Sequence, residues 1–182
     1  MRVLLLSALG AITGVSTAFA VNFGSYGVPF IGGGVWVQGD AYFTVGRLFL
    51  TPAVDAGTVS AVANLQQVPL FLPSSAPTNY CHDSVHDACV LDENYGDTGW
   101  FGQNVGWGWT WGSHPFQGIS MSVQRINLFY VPFPIPAQTA ACHELGHAVG
   151  LRHRNGSCMQ AASPPSLFYS SHDLAHLEDW FD

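Results

Sequence analysis

His143-Glu144-Leu145-Gly146-His147-Ala148-Val149-Gly150-Leu151-Arg152-His153 is the most informative stretch of this 182-residue chain. On a helix, positions i and i+4 lie one turn apart on one face, so His143 and His147 can present ring nitrogens to a single ion. Glu144 flanks that pair and does not join it, which suits a carboxylate that takes a proton from water. A straight helix cannot bring His153 to the same point. The chain must turn after His147, and Gly150 permits the positive φ of a helix-ending turn. His153 can then swing back as a third ligand. Three neutral imidazoles leave the fourth position of a zinc ion open, which marks a catalytic site and not a closed structural one. An ion so held polarises a carbonyl and acidifies water. Five residue types at fixed spacings arise by chance with odds on the order of one in ten thousand or less, so a His-rich helix end without metal is the weaker reading.

Outward from this stretch, a helix is expected to open at Pro136 or Ala137 and to run to about Gly150. Ile119 to Val131 alternates polar and apolar residues and reads as a strand. Ala41 to Leu50, rich in aromatic and β-branched residues, reads as another. Thr51-Pro52 looks like a helix start, with Thr51 as cap and Pro52 at the first position. Val54, Thr58, Ala61, Val62 and Leu65 follow at helical spacing. Pro69 to Pro77 should end that helix as a loop. Tyr80 to Trp111 is dense in turn signals, aromatics and acids, so short strands joined by tight turns are expected. Ser171 to Phe181 should be the last helix, with Ser171 as cap and Asp173 in its first turn, where negative charge is favoured. Val21 to Asp40 is Gly-rich and reads as irregular.

The pattern H-E-x-x-H-x-x-G-x-x-H resembles the zinc signature of the metzincin metallopeptidases. That family places a Met on a tight turn beneath the metal. Met159, within Ser157-Cys158-Met159-Gln160, matches it as a hydrophobic floor and not as a ligand. The last helix resembles the closing helix of matrixin-type members, whose early Asp hydrogen-bonds the Met-turn; Asp173 is the matching residue. The closest similarity is to small secreted bacterial members of the matrixin-like branch. It is specific from about Ala140 to Asp182 and rests, before that, on the order strand, helix, strands, zinc helix. Ala161 stands where astacin- and serralysin-like members carry a Tyr ligand, which disfavours those branches. No cysteine-switch motif precedes the domain, so latency by a plugging Cys is not expected. Arg154 stands where matrixins usually carry Ser.

The resemblance implies a secreted zinc-dependent metalloendopeptidase. One Zn2+ would sit on His143, His147 and His153, with Glu144 as general base and Gly150, Met159 and Asp173 in support. The implied fold is α/β (α+β): a twisted, mostly parallel sheet with two main helices, plus a small C-terminal subdomain that ends in a helix. Residues 21–150 would form the larger upper part and residues 151–182 the lower part of one domain. A protein or peptide substrate should lie extended along an edge strand, which is placed between Val90 and Trp111. The alternative is a non-catalytic zinc module, for adhesion or carbohydrate binding, on a protease fold. Glu144 discriminates between the two and favours the enzyme.

Composition agrees with a folded, exported chain. Hydrophobic residues make up 48% and charged residues 9%, the reverse of a disordered composition. Five Arg and no Lys face twelve acids, which leaves no electrostatic footprint for nucleic acid or an anionic membrane. Residues 1–20 read as a signal peptide: Arg2, the apolar run Val3 to Ile12, and the cleavage site Ala18-Phe19-Ala20. The exported chain should then be secreted and monomeric, with no membrane contact after signal removal. Export fits the four cysteines Cys81, Cys89, Cys142 and Cys158 as two disulfides. Three connectivities are possible; Cys81–Cys89 and Cys142–Cys158 are favoured because each closes a short local loop.

Weaker clusters are read as structural. His82-Asp83-Ser84-Val85-His86-Asp87 has the residue types for a second Zn2+ or a Ca2+ but matches no specific spacing. Asp92, Glu93 and Asp97 lack the spacing of a calcium loop. His172 and His176 sit one turn apart on the last helix and read as packing or surface residues. Trp100, Phe101, Trp107, Trp109 and Trp111 read as core and cleft walls, since aromatics dominate cores by area.

Overall fold

The computed structural model describes residues 41–81, 86–107, 110–111, 117–118, 121–161 and 166–181. The signal-peptide segment, the Gly-rich stretch to Asp40, and His82 to Val85 lie outside the described residues. Strand β1 (Tyr42–Leu48) leads into helix α1 (Pro52–Leu65) and back to strand β2 (Leu72–Thr78). Strands β3 (Ala88–Glu93), β4 (Gly102–Trp107), β5 (Thr110–Trp111), β6 (Gln117–Gly118) and β7 (Met121–Asn127) follow. Helix α2 (Pro134–Ala148) carries the His-Glu motif, and helix α3 (Ser171–Phe181) ends the described chain. No helix among the described residues is long and apolar enough to cross a membrane.

The main sheet has five strands in the order β2-β1-β3-β7-β4. Its first four strands run parallel, and β4 runs antiparallel to β7. The expected class, α/β with a mostly parallel sheet, is therefore what the chain adopts. Phe43 and Val45 of β1, Val54, Ala61 and Leu65 of α1, and Ala141 and Leu145 of α2 join one buried apolar cluster. The same cluster takes in Leu151, Met159, Tyr169 and Leu177, so the C-terminal part shares the core of the sheet and helices. Phe71 stacks on Phe181 with ring centroids 4.4 Å apart, which ties α3 to the approach of β2.

The helical spacing expected from Val54 to Leu65 is borne out: all five named positions are buried. Other expectations are corrected. Leu72–Thr78 is a strand, where a loop was expected. Pro73 and Pro77 are tolerated because β2 is an outer strand, so a missing N–H need not break a ladder on both sides. Helix α2 begins at Pro134, ahead of the expected Pro136 or Ala137. The first turn of a helix has no internal partner for its N–H groups, so Pro134 and Pro136 cost no hydrogen bond there. Its first bond runs from the Ala137 N–H to the Phe133 carbonyl at 3.1 Å. Helix α3 spans the expected residues, but its cap is Ser170 and not Ser171. The Asp173 N–H donates to Ser170 Oγ at 3.2 Å, and the Ser170 N–H donates to the Asp173 carboxylate at 2.8 Å. That reciprocal pair is a capping box closed by an Asp.

Thr51 and Pro52 open α1 as expected, yet Thr51 does not cap with its hydroxyl. The hydroxyl donates to the Asp92 carboxylate, and the Thr51 N–H reaches the same group at 3.0 Å. Asp92 at the end of β3 thereby anchors the start of α1. Strand β7, Met121–Asn127, stops short of the expected Val131 and is buried on both faces despite its polar alternation. Ser122 and Gln124 pair inside the sheet: Gln124 Nε2 donates to Ser122 Oγ at 2.7 Å and to Asn104 Oδ1 of β4 at 3.1 Å, while Gln124 Oε1 is buried without a hydrogen-bond partner.

Candidate metal centre

Helix α2 presents His143 and His147 one turn apart, with their rings at 89° to each other. After Ala148 the helix closes in a Schellman turn. The Leu151 N–H donates to the Gly146 carbonyl at 2.8 Å and the Gly150 N–H to the His147 carbonyl at 3.1 Å. Gly150 has φ of 95°, the left-handed conformation expected of it. The turn returns the chain so that His153 faces the helical pair. His143 Nε2 lies 3.1 Å from His147 Nε2 and 3.1 Å from His153 Nε2. His143, His147 and His153 form the one group of three or more potential metal ligands among the described residues.

The hydrogen bonds on the far side of two rings fix what these nitrogens can do. His143 Nδ1–H donates to the Cys158 carbonyl at 2.8 Å, and His147 Nδ1–H donates to the Leu151 carbonyl at 2.8 Å. A carbonyl only accepts, so each Nδ1 carries the proton and each Nε2 is left as a bare lone pair. Two lone pairs facing each other at 3.1 Å repel unless a cation lies between them. Ligand nitrogens about 2.0–2.1 Å from a tetrahedral ion would stand about 3.3–3.4 Å apart, so the donor set fits a metal to within a few tenths of an ångström. Backbone carbonyls behind ligating imidazoles are the usual means of orienting them.

Burial favours the uncharged form of each ring. It lowers the His143 pKa to about 4, against the Cys158 carbonyl, which favours the cation. It lowers His147 to about 3, helped by the charge of His143. His153 is exposed and shifts the same way, again through desolvation. Burial thus favours the neutral form, the one able to ligate a metal, in all three rings. The Glu144 carboxyl is buried beside them, 6% exposed, and burial pushes its pKa up to about 8. A cation on the triad would oppose that rise.

Glu144 is held from the opposite side by the edge strand. A Cβ added at Gly102, the first residue of β4, would run into the Glu144 carboxylate. The loop that delivers β4 is organised by buried Asn127. Its Nδ2 donates to the Gly96 carbonyl at 3.0 Å and to Thr98 Oγ1 at 2.8 Å, and its Oδ1 accepts from the Tyr95 N–H at 3.1 Å.

Met159 is fully buried at the third position of a turn closed by the Gln160 N–H on the Ser157 carbonyl, 3.2 Å. The Arg154 N–H donates to the Met159 carbonyl at 2.9 Å, joining this turn to the residue that follows His153. A Cβ at Gly146 would meet Met159 Sδ and the Tyr169 ring, so the helix approaches this turn through a glycine. The Tyr169 hydroxyl donates to the Cys142 carbonyl at 2.8 Å, and its N–H donates to Asn64 Oδ1 of α1 at 2.8 Å. Both expected disulfides are present, Cys81–Cys89 and Cys142–Cys158. The second joins α2 to the residue whose carbonyl holds His143. It therefore braces the first ligand more directly than the third.

Asp173 is buried but does not reach the Met-turn. One carboxylate oxygen accepts from the Ser170 N–H and hydroxyl, at 2.8 and 2.7 Å. The other has no hydrogen-bond partner. The Met159 N–H is instead satisfied by Ser157 Oγ at 3.1 Å.

Three acids of the weaker clusters have other partners. Asp87 is consumed by Thr44, accepting its N–H at 2.7 Å and its hydroxyl at 2.8 Å. Asp97 accepts the Tyr130 hydroxyl, and Asp92 is committed to Thr51. His82 and Asp83 lie outside the described residues, as do Trp109 and the side chains of Trp107 and Trp111. Trp100 packs near Tyr95 with centroids 5.2 Å apart. His172 and His176 come together on α3 with Nε2 atoms 2.9 Å apart. Sequence reading passed over Gly102, Gly146, Asn127 and Tyr169. Gly146 alone carried a signal, as a glycine inside a helix. No family model matches this chain, and no curated protein matches it.

Proposed function

We propose that this chain is a secreted zinc-dependent metalloendopeptidase of the metzincin type. The observation that carries this reading is the convergence of three imidazoles beside a buried carboxyl, which lies against the start of β4, the last strand of the sheet among the described residues. The element order agrees with the family resemblance: strand, helix, strands, then the helix that bears the motif.

His143, His147 and His153 would hold the ion, with Cys158 and Leu151 carbonyls orienting the first two rings. Zinc bound there supplies a Lewis acid that polarises the scissile carbonyl and acidifies water. Glu144 takes a proton from the attacking water. As the new C–O bond forms and the C–N bond breaks, it delivers that proton to the leaving amine. Its burial favours the protonated state, which is the state that must give the proton up. Among the described residues β4 ends the sheet, and its outer N–H and C=O groups would pair with an extended peptide. Gly102 sets that strand against Glu144 and brings the peptide bond to be cut beside the base.

Cleavage of a denatured protein by the purified chain tests the proposal. Activity should disappear with a zinc chelator and return with zinc. Glu144→Gln should bind zinc as before and lose about 10²–10⁴-fold in rate, the usual contribution of acid–base catalysis. A folded, zinc-loaded wild type that cuts no denatured protein would favour a non-catalytic zinc module.

A further inference from the structure

We propose that His172 and His176 on α3 form a second, two-imidazole site for a divalent transition-metal ion. The pair repeats the geometry of the helical half of the main centre. Both pairs are spaced i, i+4. Their rings stand at 89° in each case, with centroids 4.3 Å apart on α3 and 4.6 Å on α2. Their Nε2 atoms are 2.9 Å and 3.1 Å apart. Cis ligands at about 2.0–2.1 Å from one ion stand about 2.9–3.4 Å apart, from square or octahedral to tetrahedral angles. One ion can thus take both rings without a change of rotamer.

Without an ion, the same contact is a single N–H···N hydrogen bond, with a proton where the metal would lie. On metal binding that proton passes through solvent to Nδ1 of the same ring, and both Nε2 atoms then donate lone pairs. His172 is only half-buried, so solvent can fill the remaining coordination positions. Glu178 and Asp179, exposed on the same helix, and a net charge of −7 favour the approach of a cation. Imidazole ligands suit Zn2+, Ni2+ and Cu2+, and a site of only two ligands selects ions high in the affinity series. The ion would clamp adjacent turns of the helix whose Leu177 and Phe181 dock against the core. Because only the folded helix presents both rings, occupancy stabilises the fold by mass action. This site does not depend on the peptidase reading.

Calorimetric titration of Ni2+ into the zinc-loaded protein, with zinc content followed per chain, tests the site. One Ni2+ should bind without loss of zinc, and it should raise the thermal midpoint. His172→Ala and His172→Gln should each weaken Ni2+ binding at least tenfold and leave zinc content unchanged. Glutamine keeps a hydrogen-bonding side chain, so it serves if alanine disturbs the helix. If the triad holds no zinc, loss of one Ni2+ equivalent in these variants still reports the α3 site. No uptake by the wild type, or equal uptake by both variants, would overturn the assignment; equal uptake would move it to other histidines such as His82 or His86.

Discussion

Glu144 and Gly102 show how one residue's chemistry can depend on another's lack of a side chain. The carboxylate occupies the space a Cβ at Gly102 would fill. Glu144 is a flexible side chain, so Gly102→Ala should fold and bind zinc normally while the carboxylate is displaced. A shift of about 1 Å in a reacting group can cost about 10²-fold. We expect peptidase rate to fall about 10–100-fold with zinc content and melting temperature nearly unchanged. Equal rates for Gly102→Ala and wild type would show that this contact does not position the base.

At the scale of elements, α2 and the Met159 turn are joined three ways: the Cys142–Cys158 disulfide, the His143–Cys158 hydrogen bond, and packing of Met159 under Gly146. Cys142→Ser with Cys158→Ser removes the covalent link. Chain-entropy models put the loss near ~3 kcal/mol for a loop of this length. Loosening the carbonyl behind His143 should also weaken zinc binding about 10–100-fold, as for other groups that orient metal ligands. Competition with a fluorescent chelator measures the second effect and urea unfolding the first. A drop in stability without a drop in affinity would make the disulfide purely a structural staple.

At the scale of the whole molecule, the metal-free protein should show a stability maximum near pH 6.5. The sign follows from where protons bind. His143 and His147 have folded pKa values of about 4 and about 3, below the ordinary 6.5. Their contribution is present above pH 6.5 and is lost as pH falls toward those values, because the unfolded chain binds the protons first. Glu144 runs the other way: its folded pKa of about 8 lies above the ordinary 4.5. Its contribution is full below pH 4.5 and is lost as pH rises through 8. Two histidines outweigh one carboxyl on the acid side, and the carboxyl alone acts between 6.5 and 8. Zinc should lift the whole curve, since only the folded triad is preassembled. It should also flatten the alkaline limb, because a nearby cation favours ionised Glu144. Thermal melts across pH, with and without chelator, would reveal both effects. An alkaline limb unchanged by zinc would place Glu144 away from the ion.

The linear chain by itself pointed to the three-histidine group, the turn at Gly150 and the coarse sheet-and-helix class, and it favoured the two short-loop disulfides without excluding the other pairings. These depend on spacing within a few residues, or on periodicity within one element, and local geometry is written in local sequence. Only the tertiary structure decided what lies behind and beside the ligands. The carbonyls of Cys158 and Leu151, the bare backbone of Gly102 against Glu144, and the Tyr169 and Asn64 contacts join residues brought together by packing; a backbone carbonyl has no sequence signature. The prolines of β2 misled for the same reason: whether a missing N–H costs anything depends on which side of the sheet a strand occupies. The expected Asp173 bond to the Met-turn also gave way to tertiary placement, because Ser170 lies nearer that carboxylate and Ser157 already satisfies Met159.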